Sequence, residues 1–148
     1  GGGSTMAFGS GNKADYTLRS ALMGVNNTLT GSKGNESTNT MLTGFHNTAD
    51  KVFNTTVIGS ENTVTNSKNS LVMGDNREVK DANHAVLIGS TDSKTTTSVN
   101  NAVAVGHNTN VTVEGGVALG SESKATVAAG SVGYDPSTKA QSTNTDST

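Results

Sequence analysis

The sequence contains no cysteine, and of its 148 residues only 31% are hydrophobic and 3% aromatic. Without cysteine there are no disulfide staples, no thiolate metal sites and no Cys nucleophile, and the compartment stays open on this count. So little oily material cannot fill the two-layer core that a typical globular domain of this length builds. Lys and Arg number 10 against 12 Asp and Glu, with no basic cluster, so nothing gathers nucleic acid or an anionic lipid surface. No apolar run approaches the roughly 18 residues of a membrane-spanning helix, and no charged-then-apolar leader opens the chain. Any anchor or export signal is therefore expected outside this stretch, and no direct membrane contact within it.

Gly, Asn, Ser and Thr are abundant, a composition that would suit disorder except that the few apolar residues recur in register. Eight hexads end on glycine: STMAFG at Gly9, RSALMG at Gly24, NTMLTG at Gly44, NTTVIG at Gly59, NSLVMG at Gly74, HAVLIG at Gly89, NAVAVG at Gly106 and GGVALG at Gly120. Their glycines fall 14 to 20 residues apart, most often 15. Five residues after each glycine comes Ala14, Leu29, Ala49, Val64, Val79, Val111 or Ala125, with only Lys94 breaking the series. Each repeat thus carries one apolar strand and one short strand around a small apolar residue, parted by polar turns. Helix is disfavoured by a unit closed with Gly and rich in β-branched residues, Asn and Thr. The expected fold is all-β, a parallel solenoid whose coils stack at about 4.8 Å and bond to their counterparts above and below. The recurring glycine is expected at a sharp reversal that needs positive φ, with Asn laddering along the stack.

Side chains alternate faces along a strand. Ala7, Leu22, Leu42, Val57, Val72, Leu87, Ala104 and Ala118 fall on one face, and residues such as Val103 and Val105 fall on the other. Both faces are apolar, and a coil of about 15 residues has no second layer for its outer one. Identical copies meeting around a common axis solve this, so a homo-oligomer is expected.

The hexads NSLVMG, NAVAVG and HAVLIG resemble the NSVAIG-type repeats of the YadA-like head domain of bacterial trimeric autotransporter adhesins. The likeness spans nearly the whole chain, with head repeats over 1–133 and a GYDP-type element at Gly133–Pro136 opening a linker, 134–148, toward a following domain or neck. The resemblance implies a left-handed parallel β-roll of 14–15-residue coils in a homotrimer. It also implies a bacterial cell-surface address, outer-membrane anchored through regions outside this chain. The implied partner is a host extracellular matrix protein of the collagen or fibronectin class, or a host cell receptor. In collagen binders of this family the hexads themselves are implicated, which makes Asn54, Asn69 and Asn101 candidate contacts, although Asn at a tight turn also has a purely structural reading. The longer spacings place polar insertions at Gly31–Ser37 and Thr91–Ser98, as outward loops.

Chemistry beyond binding finds no foothold in the sequence. There is no G-x-S-x-G elbow, phosphate-cradling loop or dinucleotide fingerprint, and His46, His84 and His107 fall at different phases without ligand spacing, so no enzyme activity, cofactor or metal is expected. The alternatives to an adhesin are a purely structural trimeric spacer or fibre segment without its own ligand, and an ice-binding solenoid. The latter is weakened because Thr28, Thr48 and Thr63 do not extend through every coil.

Overall fold

A computed structural model describes residues 2–141, so the last seven positions of the expected 134–148 linker lie outside the described residues. Those described are all-β, without a helix, and form a β-solenoid of about eight turns. The apolar hexads make one eight-stranded parallel sheet from Met6–Ser10, Ala21–Val25, Met41–Phe45, Thr56–Ser60, Leu71–Asp75, Val86–Ile88, Val103–Val105 and Val117–Leu119. Register is held hexad on hexad, Gly9 beside Gly24, Gly24 beside Gly44, Gly44 beside Gly59 and Gly59 beside Gly74.

The shorter segments make a second, nine-stranded parallel sheet, in which Leu29 pairs with Ala49, Ala49 with Val64 and Val64 with Val79. Two of its strands, Thr48–Phe53 and Thr63–Lys68, are bent where Lys51 and Asn66 take the left-handed conformation. Each regular coil therefore turns at three left-handed corners, as at Asn54 (φ 49°), Glu61 (φ 58°) and Asn66 (φ 48°). Asn reaches this region because its short amide can bond locally, whereas Lys, Glu and His there carry strain that the surrounding ladder must offset.

The core is a set of single files running along the stack. Leu22, Leu42, Val57, Val72, Leu87, Ala104 and Ala118 face Leu29, Ala49, Val64, Val79 and Val111, with Val52 and Ala82 closing the third side, and all are buried. Each Leu or Val so buried stabilises the fold by about 1.5–3 kcal/mol. Ala7, the first of the expected file, is exposed on the outermost coil.

Where Lys94 breaks the five-after-glycine series, the register slips and Thr97 pairs with Val79 instead. Thr97 is buried, its hydroxyl bonded to Asn110 Oδ1 at 2.9 Å, and Lys94 lies outside with its ammonium on Glu61 O and Thr63 Oγ1. Of the second insertion, Asp92–Lys94 and Ser98 thus lie outside, since Thr91 is buried and Thr95–Thr97 form a strand. After the last coil, Tyr134–Asp135 pairs antiparallel with Ala140–Gln141, so the GYDP segment leads into a hairpin rather than another turn of the solenoid.

Candidate functional site

The eight glycines are spacing elements. Gly9, Gly24, Gly44, Gly59 and Gly74 sit inside strands, and Gly89, Gly106 and Gly120 directly follow them. The reversal comes two residues later, at left-handed Asn26, His46, Glu61, Asn76, Asn108 and Glu122. All eight take the positive φ expected of them, from 96° to 159°, and the neighbouring coil adds a second demand for glycine. A Cβ on Gly59 would sit 1.8 Å from the Gly74 carbonyl oxygen, and one on Gly44 would sit 1.9 Å from that of Gly59. At Gly120, where no further hexad is stacked, the nearest atom to such a Cβ is 3.7 Å away.

Three residues past the first four glycines runs the expected Asn ladder, on residues that the sequence did not single out. Asn27, Asn47 and Asn62 are fully buried. Each donates through Nδ2 to the glycine carbonyl of the next coil, to Gly44, Gly59 and Gly74 at 2.8, 2.8 and 2.7 Å. Asn47 Oδ1 in turn accepts the Asn62 backbone N–H. A primary amide suits the slot because one side chain supplies both donor and acceptor, and a buried carbonyl without a donor costs about 1–3 kcal/mol. Asn47→Leu is therefore expected to lower stability by about 2–3 kcal/mol in thermal unfolding, while Asn54→Ala on the exposed corner costs about 1 kcal/mol or less.

The next rung is Arg77, the largest fully buried side chain. Its Nε donates to Gly89 O at 2.9 Å, Nη1 to Thr109 O at 2.7 Å, and Nη2 to Gly106 O at 3.1 Å and Thr109 Oγ1 at 2.8 Å. The coil after it has Asp92, on the projecting insertion, where the four coils before Arg77 have Asn. The long guanidinium fills that missing rung and reaches the following coil. Burial pulls its pKa below the ordinary arginine value, and it stays charged at neutral pH, held by oxygen dipoles.

Two surfaces face outward. On the hexad sheet, alternation turns Met6, Phe8, Ala21, Met23, Met41, Thr43, Thr56, Ile58, Leu71, Met73 and their successors through Val117 and Leu119 away from the core. Phe8 is 68% exposed, Met23 48% and Leu119 64%. A single chain thus presents an apolar stripe along its whole stack.

The other surface is the corner before each hexad. Asn54, Asn69 and Asn101 are brought into one column there, all exposed and left-handed. Their amides partly join each other along the stack: Asn39 Nδ2 donates to Asn54 Oδ1 at 2.9 Å, and His84 lies between Asn69 and Asn101 at 3.4 and 3.1 Å. Comparison with protein families, curated proteins and solved structures returns no match.

The histidines lie apart. His46 contacts Glu61 at 2.9 Å in the next coil, and His107 contacts Asp92 at 3.2 Å in the coil before. Among the described residues no three or more His, Cys, Asp or Glu gather as a metal group, and no helix is long and apolar enough to cross a membrane.

Proposed function

We propose that this chain is a YadA-like head of a bacterial trimeric autotransporter adhesin. In this reading it is a left-handed parallel β-roll of 14–15-residue coils, three copies pack their apolar hexad faces around a common axis, and the assembly is held on the bacterial surface by outer-membrane segments outside this chain. The observation that carries the reading is the apolar outer face of the hexad sheet. Parallel sheets are ordinarily covered on both sides, and a contiguous apolar surface of this extent marks an interface. Its repeat along the rod means that an identical rod can match it coil for coil, and closed symmetry does so without leaving an end of the face bare. Three is the number that the hexad resemblance implies.

The ligand in this reading is a host matrix protein of the collagen or fibronectin class, or a host cell receptor. The column holding Asn54, Asn69 and Asn101 offers it many equivalent weak contacts, multiplied by assembly so that avidity offsets modest single-site affinity. The assembled protein is expected to bind immobilised collagen or fibronectin more tightly than soluble monovalent fragments of them, read by surface plasmon resonance. An Asn69→Ala, Asn101→Ala double variant with unchanged assembly is expected to lose most of the collagen response. If the double variant binds as before, those side chains serve only the turn. If no panel of matrix proteins or host cells retains the assembled protein, the spacer reading replaces adhesion.

A further inference from the structure

The first insertion, expected only as a loop, builds a wall. Its chain is pinned at the root, where a Cβ on Gly31 would meet the Tyr16 carbonyl at 2.6 Å and the Ser37 amide nitrogen at 2.8 Å. It is pinned again at the tip, where Ser32 and Asn35 exchange backbone bonds at 3.1 and 2.9 Å and Glu36 Oε1 accepts the Gly34 N–H at 3.1 Å. Between this wall and the bent strands of the second sheet lies a cavity of about 300 Å³, lined by Asn35, Glu36, Lys51, Phe53, Asn66 and Lys68 among others. It lies off the hexad sheet that carries the apolar stripe.

The lining is chemically mixed in a specific way. Lys51 is held by Asp50 at 3.0 Å, whereas the Lys68 ammonium has no ion pair or hydrogen bond among the described residues. Phe53 presents an aromatic ring to the opening, 38% exposed. Asn66 donates its amide to Asp81, leaving its carbonyl oxygen to accept, and Glu36 has a second oxygen beyond the one on Gly34. An uncommitted cation, an aromatic face and several acceptors around a space at the lower end of small-ligand sites match a single sugar ring bearing a carboxylate. We propose that this groove binds a uronic-acid-type monosaccharide unit, its carboxylate on Lys68, its apolar C–H face on Phe53 and its hydroxyls on Asn35, Asn66 and Glu36. Inorganic phosphate would use the cation and leave the ring and acceptors without a role. The site adds a carbohydrate ligand to the protein ligands of the adhesive reading, and it is tested separately from the collagen response.

The test is ligand-observed NMR and calorimetry on the full chain with methyl β-glucuronide, against methyl β-glucoside and inorganic phosphate. The glucuronide is expected to bind at least about tenfold more tightly than the glucoside, the size of one charge-assisted hydrogen bond. Lys68→Ala is expected to remove that preference, and Phe53→Ala to weaken both sugars, with Phe53→Leu serving if the alanine variant fails to fold. Lys139→Ala, an exposed lysine in the C-terminal hairpin, should bind as the parent does. Equal affinity for the two sugars, phosphate binding as tightly as the glucuronide, indifference to Lys68→Ala, or no saturable binding up to about 10 mM would each overturn the assignment.

Discussion

Gly59→Ala is expected to destabilise the fold by more than about 4 kcal/mol, which for a chain of this length lowers the melting temperature by roughly 10 °C or more. The added methyl meets the Gly74 oxygen at 1.8 Å and its carbon at 2.8 Å, and both atoms are backbone of the adjoining coil. No rotamer relieves that contact, so two coils must part and their strand bonds lengthen. The same substitution asks alanine to hold φ at 135°, where a Cβ is strained whatever the space. Gly133→Ala is the matched control, because a Cβ there meets nothing within 4 Å. Gly115→Ala, equally open but at φ 71°, isolates the conformational part at about 1 kcal/mol. Thermal unfolding at one fixed chain concentration ranks the three variants; the ordering fails if Gly59→Ala melts with Gly115→Ala.

Replacing Arg77 by Met is expected to cost about 3–5 kcal/mol, with stem length kept and every donor lost. Gly89 O and Thr109 O lose the donors they have now, and Thr109 Oγ1 loses one partner. Arg77→Asn is the sharper variant. By analogy with Asn62 on Gly74 it returns a donor to Gly89, but its side chain is too short for Thr109 in the coil beyond. It should therefore fall between the parent and Arg77→Met. Indifference to either change, measured by denaturant unfolding, would mean that the guanidinium occupies the slot without holding it together.

Much of this architecture can be read from the hexads. Leu22, Leu42, Val57, Val72 and Leu87 are buried in file because a period of two within a strand and a constant repeat between strands leave one face for the core. The five-after-glycine series located the second sheet, and it failed at Lys94 because an insertion moves the inward position to Thr97, which no local pattern marks. An Asn ladder was expected, and what stayed hidden was which asparagines are buried in it. Asn12, Asn27, Asn47 and Asn62 recur three residues past a glycine, a spacing visible in the letters, yet Asn at a corner already has a sufficient local reason. Arg77 was beyond reach because its partners Gly106 and Thr109 stand two coils on, and a lone Arg in a polar stretch reads as surface. The glycines were recognised, while their main constraint, a carbonyl from the next coil, exists only once coils are stacked.

The claim on which the functional reading rests is that one rod cannot hide its own hexad face. Sedimentation equilibrium on the chain at micromolar concentration measures this most directly, alongside circular dichroism of the same sample. The prediction is a β-rich species of three times 14.9 kDa, with Ile58→Asp and Ile88→Asp together abolishing the assembly. A folded, β-rich particle of 14.9 kDa that stays solitary across that range would contradict it.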